Sequence, residues 1–486
     1  MSTPSLTLYT NGTIITINPR REIILNGSIL IEGSRIIAIG KTGSLYYHDK
    51  PISHFSLPAN TTIVDLTGKV VIPGLINTHA HLAQSLLRGL AEDLPLHSWL
   101  CDAIWPLEAS YKGDDGYIAA MLTIVEMLKS GTTCFLEAML THRSGWENVV
   151  RAVEETGIRA CLGKLVKAQE TNPQLNISDP RDKDLSNMSV SAALAAHASH
   201  HGAFNDCLHV WLATGTPRGS PFSSHSAIGA ACRAHDIGLT MHCAEAARDL
   251  EIYRSQYSCS PLQFCQEAQL TSPKTVLAHV VHPDLSTDLD ILRRTGTTVS
   301  HNPSSNCKLA SGIAPIPEML RAGVNVSLGT DGGPCNNSYD MIREMHLASI
   351  LHSATHQTAG IVSAYDALCM ATINGARALG LESEVGSLEV GKKVDFVVVD
   401  ACGVGCAPWD VEQVAEGGVD PITALVHGCT GRDVERVVVD GVVRVENGEL
   451  VGIDERGILE AARRAVRGIR DRSGVKARKI GETKYL

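Results

Sequence analysis

Residues 70–82 read VVIPGLINTHAHL, and the fold of the chain is organised around this stretch. Branched apolar residues, interrupted once by a Pro-Gly pair, lead to His79 and His81, which indicates a buried strand carrying two histidines at its exit. Side chains two residues apart on a strand point to the same side, so both imidazoles can reach one cation. Two histidines at this spacing are common, and ordinary core or solvated histidines are the alternative. The rest of the chain has to decide between these interpretations.

The composition is that of a large globular protein. A chain of 486 residues with 44% hydrophobic and 19% charged residues can hold a barrel-sized core and a smaller second domain. The net charge of -10 and the absence of a basic stripe interleaved with aromatics argue against nucleic acid and anionic membranes as partners. The 14 cysteines form no CxxC pair, and no long apolar run or signal-like N-terminus is found. We therefore expect reduced thiols and a cytoplasmic location.

Outward from residues 70–82, strand-like apolar runs alternate with helical patterns, as in repeated βα units of a parallel sheet. Eight such runs predict a closed (β/α)8 barrel, an α/β fold in which active sites lie at the C-terminal ends of the strands. The predicted strands are Val71–Thr78, Thr132–Glu137, Arg159–Val166, His209–Thr214, Leu239–Cys243, Thr275–His279, Thr297–His301 and Val324–Thr330.

Shorter β-rich segments flank this region on both sides. They run from Leu6 to Ile39 before it, and over Val394–Asp400 and Val434–Val445 after it. Because chain ends often lie close together, we expect one small β-sandwich built from both, followed by an amphipathic helix that packs on the surface. The predicted divisions are 1–70 and 386–450 for the two parts of the β-sandwich, 71–385 for the metal-dependent catalytic barrel, and 451–486 for the terminal helix and tail.

Polar residues fall where the barrel strands are predicted to end. His79, His81, His242 and Asp331 offer three nitrogens and one carboxylate, which is a suitable ligand set for a divalent cation that keeps one position open for water. Taken alone, Asp331 in GTDGGPC could equally cap a turn. Its place after the eighth strand favours a ligand that also accepts a proton from water.

Two further strand-end residues suggest proton transfer. Glu245 lies three residues past His242 in MHCAEA, where its carboxylate can reach a metal-bound water and act as general acid and base; a solvated carboxylate at a helix start is the alternative. His279 ends the sixth predicted strand and can bind the metal or hydrogen-bond the attacking hydroxide, with a core histidine as the alternative. Glu137, Lys164 and His301 occupy similar strand-end positions.

The chain resembles the amidohydrolase superfamily, specifically its mononuclear branch, through PGLINTHAHL, MHCAEA, AHVVH, SHNPSSNCKLASG, GTDGGPCNN and GSLEVGKKVDFVVVD, in this order. That branch contains guanine and cytosine deaminases, methylthioadenosine/S-adenosylhomocysteine deaminases and the ATZ/TRZ-type triazine hydrolases. The resemblance implies one zinc or iron ion, and a homodimer or homotetramer. It also implies that Glu245 shuttles protons, that His279 orients the hydroxide or polarises the substrate, and that the metal ligands are His79, His81, His242 and Asp331.

Two positions bear on the substrate. Glu108, in IWPLEA, matches the position at which adenosine-type deaminases hold a substrate hydroxyl; a surface carboxylate is the alternative. Where those enzymes usually carry a histidine in an APH-like turn after the fourth strand, this chain has TGTPRGSPFSS, with Arg218 at or beside that position. This departure argues against a ribose site, since the Arg218 guanidinium suits a carbonyl-bearing heterocycle or an anionic group.

The sequence therefore predicts a metal-dependent hydrolase that deaminates an aromatic N-heterocycle of the purine, pterin, pyrimidine or triazine type. A metal-bound hydroxide attacks the amine-bearing carbon, Glu245 moves the proton, and ammonia leaves. Zinc is favoured over iron as the cofactor. One alternative is removal of chloride or an alkylamine from a triazine-like ring. A second alternative is a catalytically silent assembly protein, although such a relative would be expected to lose ligands that this chain retains.

Overall fold

The structure is a computed structural model that describes residues 6–47, 50–51, 57–58, 60–172, 177–218 and 220–477. These residues form two compact units. The first comprises Met1–Ile76, Met127–Cys134 and Asp340–Ile453, and the second Asn77–Glu126, Phe135–Tyr339 and Asp454–Leu486. Compared with the predicted divisions, residues 340–385 group with the β-rich unit, and the terminal helix groups with the barrel unit.

The described residues contain 22 strands. They are β1 (Leu6–Ile15), β2 (Ile23–Glu32), β3 (Arg35–Lys41), β4 (Tyr46–Tyr47), β5 (Lys50–Pro51), β6 (Thr62–Asp65), β7 (Val70–Pro73), β8 (Leu75–His81), β9 (Thr132–Leu140), β10 (Arg159–Leu165), β11 (Thr171–Asn172), β12 (Ile177–Ser178), β13 (Leu208–Thr214), β14 (Leu239–Cys243), β15 (Thr275–His279), β16 (Thr298–His301), β17 (Val326–Leu328), β18 (Asp331–Gly332), β19 (Phe396–Val399), β20 (Val434–Val439), β21 (Val442–Glu446) and β22 (Glu449–Leu450).

The same residues contain 19 α-helical segments, together with several short 3-10 and π turns. The helices are α1 (Leu96–Ser98), α2 (Trp105–Glu108), α3 (Asp115–Lys129), α4 (Trp146–Thr156), α5 (Val190–His200), α6 (Ala203–Asp206), α7 (Phe222–His235), α8 (Ala247–Ile252), α9 (Pro261–Glu267), α10 (Asp288–Thr295), α11 (Pro303–Lys308), α12 (Ile316–Arg321), α13 (Gly333–Asn336), α14 (Met341–Thr355), α15 (Ala364–Met370), α16 (Ile373–Leu379), α17 (Val411–Val414), α18 (Pro421–Thr423) and α19 (Glu455–Ser473).

The predicted parallel barrel is confirmed. Its strands neighbour one another in the order β8, β9, β10, β13, β14, β15, β16 and β17. The eighth position is shared by two pieces, since β17 pairs with β16 while β18 pairs in parallel with β8 through Asp331 and Ala80, and this closes the ring. The strands are buried along nearly their whole length, as expected for parallel strands covered on both faces.

The predicted first strand, Val71–Thr78, is in fact two strands separated by Gly74. β7 pairs with β1 and β19 in the sheet of the first unit, whereas β8 begins the barrel. A Cβ atom at position 74 would lie 2.0 Å from Oγ1 of Thr133, so the chain can pass this point only with glycine. Because β8 extends to His81, both histidines lie within the end of the barrel strand and not after it.

The predicted β-domain is confirmed, and its sheet is drawn from both ends of the chain. Within the described residues its strand order is β22, β21, β20, β19, β7, β1, β2 and β3, with β6 paired to β1. Asp440 and Gly441 turn the β20–β21 hairpin with positive φ angles of 49° and 80°, as the DG signal predicts. Its apolar face includes Ile14, Val71 and Phe396, all almost fully buried.

The terminal helix α19 packs against its own unit. Its buried residues Ala462, Ala465 and Ile469 join an apolar cluster that contains Leu86 and Trp99. Packing on the barrel unit is therefore its structural role, as the sequence pattern predicts. In the part of the chain that the structure describes, no helix is both long and apolar enough to cross a membrane.

Candidate active site

The four predicted metal ligands converge at the C-terminal end of the barrel. Nε2 of His81 lies 3.2 Å from Nε2 of His242. Oδ1 of Asp331 lies 3.5 Å from Nε2 of His79 and 3.4 Å from Nε2 of His81. These atoms come from three different strands, β8, β14 and β18, so it is closure of the barrel that brings them together. All four side chains are largely or completely buried.

The donor atoms of this cluster fit a bound cation. Among the described residues, neither ring nitrogen of His79 has a hydrogen-bond partner, and Nδ1 of His242 has none either. Buried polar atoms are normally satisfied, so such a group of unpartnered nitrogens beside a carboxylate points to an additional bound group. Burial lowers the pKa of His79 to about 4 and that of His242 well below its usual value, which keeps both imidazoles neutral and able to bind a metal.

The Asp331 carboxylate is held in place from both sides. Ser305 donates a hydrogen bond of 2.6 Å to its Oδ2, and the backbone N–H of Gly332 donates one of 2.8 Å to its Oδ1. Although burial alone would raise the pKa of Asp331, the close approach of His79 and electrostatic interaction with the neighbouring histidines lower it well below its usual range. The backbone of Asp331 has a φ of 64°, a costly conformation for a non-glycine residue that clusters at functional sites.

His279 and Glu245 lie beside the ligand cluster. Nε2 of His279 is 3.9 Å from Oε2 of Glu245 and 3.8 Å from Oδ2 of Asp331, while its Nδ1 is 2.8 Å from Oδ1 of Asn306. The imidazole is thus fixed at one nitrogen and presents the other to both carboxylates. Burial raises the pKa of Glu245 to about 7, in the range that suits a group that both donates and accepts protons near neutral pH.

A cavity opens onto this cluster and encloses about 660 Å³ including its mouth. His81, His242, Glu245 and Asp331 line its reactive end. Apolar side chains able to contact a planar ring line another part; they are Leu96, Trp99, Leu100, Ile104, Trp105, Met139, Leu165 and Leu309. A flat heterocycle with its amine near Glu245 is compatible with these walls.

Arg218 also lines the cavity, but its charge is already neutralised. Its Nε and Nη2 lie 3.1 and 3.2 Å from the two carboxylate oxygens of Asp249, and both side chains are buried. The sequence-based expectation that Arg218 pairs with an anionic substrate group did not take Asp249 into account. No pattern in the sequence links Arg218 to Asp249. With this partner present, the argument from Arg218 against a ribose site loses its physical basis.

Glu108 lines the cavity and is buried, unlike a surface carboxylate. Its Oε1 accepts a hydrogen bond of 2.9 Å from Gln84, and its Oε2 accepts one of 2.7 Å from Arg181. The segment 168–195 supplies both Arg181 and Glu170 to the cavity wall. Two charged residues in a long polar segment give no periodic signal, so sequence reasoning missed them.

The other strand-end residues are more remote from the substrate space. Glu137 accepts hydrogen bonds from the backbone N–H groups of Leu82 and Met139, and burial raises its pKa to about 8. Nζ of Lys164 lies 5.7 Å from the ring centroid of Trp146. Neither side chain is among the residues that line the cavity.

Comparisons with known proteins find similar sequences over most of the chain. The model of the amidohydrolase family matches residues 70–444. The chain is 35% identical over 446 residues to a 5'-deoxyadenosine deaminase of Methanothermobacter thermautotrophicus, covering 90% of this chain and 98% of the relative. It is 36% identical over 442 residues to a 5-methylthioadenosine/S-adenosylhomocysteine deaminase of Desulforudis audaxviator, covering 91% and 94%.

Solved structures share the fold. A zinc-bound adenosine deaminase from Xanthomonas campestris superposes with a TM-score of 0.84 at 26% identity, covering 96% of this chain and 99% of that one. A zinc complex of an atrazine chlorohydrolase from Arthrobacter aurescens superposes with a TM-score of 0.82 at 23% identity, covering 95% and 100%.

Proposed function

The chain belongs to the amidohydrolase family, and on that premise we propose that it is a metal-dependent hydrolytic deaminase of adenosine-type purine nucleosides. The observation that carries the proposal is the convergence of unpartnered histidine nitrogens, the Asp331 carboxylate and the Glu245 carboxylate at one end of a cavity. The relatives named as deaminases of 5'-deoxyadenosine and methylthioadenosine support the purine nucleosides among the heterocycles that the sequence allows.

The ligands of the proposed metal ion are His79, His81, His242 and Asp331. A divalent cation bound by them supplies Lewis-acid activation of water. Asp331 accepts a proton from the attacking water, for which its carboxylate is oriented by Ser305 and by the N–H of Gly332. His279, fixed through Asn306, directs Nε2 toward the same region and hydrogen-bonds the oxygen that adds to the ring.

Glu245 has the role of general acid and base. It donates a proton to the ring nitrogen next to the carbon under attack, which makes that carbon more electrophilic. A C–O bond forms at this carbon, and Glu245, now ionised, takes the remaining proton of the added oxygen and passes it to the amine nitrogen. The C–N bond then breaks and ammonia leaves, while the proton held by Asp331 returns to Glu245. A carboxyl group with a pKa of about 7 can both donate and accept a proton near neutral pH, so Glu245 is suited to both proton transfers.

The remaining walls of the cavity support the proposal that the substrate is a nucleoside. Glu108 is buried and paired with Arg181, yet its carboxylate retains lone pairs that can accept hydrogen bonds from a sugar diol. The sequence suggested an unpaired arginine charge at Arg218 that would disfavour a sugar. Because Asp249 neutralises Arg218, this objection to a sugar does not apply.

Ammonia release tests this proposal. The purified, zinc-loaded protein is incubated with adenosine, 5'-deoxyadenosine and methylthioadenosine, and in parallel with guanine, cytosine, an aminopterin-type pterin and an aminotriazine. The proposal predicts ammonia and the corresponding inosine-type product from the nucleosides. Release of chloride or an alkylamine from a triazine, with no ammonia from any nucleoside, would contradict it.

Zinc, a homodimer or homotetramer and a cytoplasmic location are further parts of the proposal. Zinc is supported by the three-nitrogen, one-carboxylate ligand set. The oligomeric state rests on the family resemblance alone, and light scattering coupled to size-exclusion chromatography tests it.

A further inference from the structure

The hydroxyl of Tyr339 joins the ends of the two barrel strands that carry His81 and Asp331. It donates a hydrogen bond of 2.9 Å to the carbonyl oxygen of His81, and it accepts one of 2.9 Å from the backbone N–H of Gly333. His81 is the last residue of β8, and Gly333 directly follows β18, which begins at Asp331. One phenol therefore links the backbone of one ligand strand to the turn that follows the other.

The two segments that Tyr339 links lie unusually close together. A Cβ atom at position 332 would lie 2.0 Å from Oε1 of Gln84, and one at position 333 would lie 3.0 Å from the carbonyl oxygen of Gln84. Both positions are glycine, which permits this approach. β18 and β8 pair through only two residue pairs, so their ladder contains few backbone hydrogen bonds. The Tyr339 hydroxyl is therefore a substantial part of what holds the two segments in register.

The backbone at Asp331 needs such support. Its φ of 64° is costly for a residue other than glycine, and a conformation of this kind persists only where the surroundings hold it. The hydrogen bonds described above fix the Asp331 carboxylate, whereas the one from Gly333 to Tyr339 fixes the backbone two residues further on. The position of the carboxylate thus depends on both sets of contacts.

Tyr339 is itself held in place. Its side chain is completely buried, and its backbone N–H donates a hydrogen bond of 3.0 Å to Oε1 of Glu126. Glu126 also forms an ion pair with Arg88, whose guanidinium carbon lies 5.8 Å from the centroid of the Tyr339 ring. These contacts restrict the backbone and the ring of Tyr339, so its hydroxyl has a defined position at the ends of both strands.

We propose that Tyr339 is a positioning residue for the metal site, whose hydroxyl holds Asp331 at the distance from His81 that one ion requires. Tyr339 does not line the cavity, so it acts through these two residues. The proposal rests on the proposed function, because the residues it positions are ligands of the proposed catalytic ion. Without the hydroxyl the ring can stay in place, but the two ligands are no longer preorganised.

Tyr339→Phe tests this proposal, because it removes only the hydroxyl. We expect the affinity for zinc, measured by competition with a chromophoric chelator, to fall about 10- to 100-fold. The matched control is Tyr257→Phe, which removes a hydroxyl that donates a hydrogen bond of 2.8 Å to the backbone carbonyl of Ser220. Ser220 is not a proposed ligand, so the control should bind zinc as the wild type does.

A second readout separates positioning from a general loss of stability. Either phenylalanine variant can lower the unfolding temperature of the metal-free protein, because each loses a hydrogen-bonding hydroxyl. Zinc that binds only the folded protein raises the unfolding temperature by an amount that its affinity sets. At one fixed zinc concentration, this rise should be smaller in Tyr339→Phe than in the wild type and in Tyr257→Phe.

Glu126→Ala provides a variant that leaves the hydroxyl in the protein. It removes the acceptor of the Tyr339 N–H at a side chain that is 28% exposed, where truncation should be tolerated. We expect zinc affinity to fall by a smaller factor than in Tyr339→Phe, because the hydroxyl can still reach its two partners. If Tyr339→Phe does not fold, this variant decides the outcome, and wild-type zinc affinity in it would overturn the proposal.

The outcomes distinguish this proposal from the function on which it rests. Wild-type zinc affinity in Tyr339→Phe, with a lower unfolding temperature of the metal-free protein, would overturn the proposal and leave the hydroxyl a purely structural role. An equal loss of affinity in Tyr257→Phe would also overturn it. If the variants bind zinc as expected but the wild type releases no ammonia from any nucleoside, the proposed function fails and this proposal stands. A wild-type protein that binds no zinc would contradict both.

Discussion

The carboxylate of Asp249 lies 3.1 and 3.2 Å from two nitrogens of the Arg218 guanidinium, and both side chains are buried. The two residues are 31 positions apart, and they form a bidentate pair on the wall of the candidate active site. This pair explains why an arginine in a substrate cavity does not by itself indicate an anionic substrate.

Asp249→Asn should destabilise the protein. Removing one partner leaves the Arg218 charge buried and unpaired, which costs about 3–5 kcal/mol. Thermal unfolding followed by calorimetry measures the effect. The matched control is Asp290→Asn, which breaks an exposed ion pair with Arg293 and should change stability by about 1 kcal/mol or less. Equal shifts in the two variants would contradict the account of the buried pair.

The pair also predicts a dependence of stability on pH. Although burial alone would raise it, the Arg218 charge lowers the pKa of Asp249 well below its usual value of about 3.9. The stabilisation is therefore fully present above that usual value and is lost as the pH falls through the lowered pKa. The difference in unfolding temperature between wild type and Asp249→Asn should be constant from pH 6 to 8 and should narrow below about pH 4.

Gly329→Ala should disturb the metal ligands. A Cβ atom at this position would lie 2.6 Å from Cβ of His79 and 2.5 Å from Oδ1 of Asn302, so the ligand strand has to shift. Overpacking costs about 1–3 kcal/mol, and where the metal-bound form bears this cost, zinc affinity should fall about 5- to 150-fold. Gly403→Ala, where a Cβ meets no atom within 4 Å, is the control. Unchanged zinc affinity in Gly329→Ala would show that the site tolerates the displacement.

Asn306→Ala should lower turnover without removing the metal. The Asn306 carboxamide holds Nδ1 of His279 at 2.8 Å and thereby aims Nε2 at the substrate space, so its loss leaves the ring with the longer contact of 3.3 Å to Asn302. We expect kcat to fall roughly 10- to 100-fold, with KM and zinc content nearly unchanged. The control Asn187→Ala removes an exposed carboxamide. A loss of zinc in Asn306→Ala would assign His279 or its surroundings to the metal site instead.

Glu245→Gln should keep the metal and lose activity. Glutamine preserves the shape of the side chain but cannot transfer a proton, so turnover should fall on the order of 10²-fold or more. Glu251→Gln, an exposed carboxylate on the following helix, should behave like the wild type. Near-normal turnover by Glu245→Gln would rule out its assigned role.

The sequence predicted the barrel, the β-domain from both chain ends and the grouping of candidate ligands because these depend on local patterns. Strand periodicity and the polar residue at each strand end are readable one segment at a time. The break at Gly74 was missed, because it depends on Thr133 in another strand.

The ion pair between Arg181 and Glu108 could not be predicted for the same reason. Arg181 pairs with Glu108 across 73 positions, and neither residue lies in a periodic segment that would indicate the contact. Ion pairs formed between loops depend on the tertiary fold, and composition or spacing does not encode their partners.

The central claim is that one metal ion, held by His79, His81, His242 and Asp331, is required for deamination. Zinc titration of the metal-free protein, with ammonia release from adenosine measured at each step, tests it most directly. We predict that activity rises in proportion to bound zinc and saturates at one ion per chain, and that Asp331→Ala shows neither tight binding nor activity. Full activity in the metal-free protein, or saturation only at two ions per chain, would contradict the account.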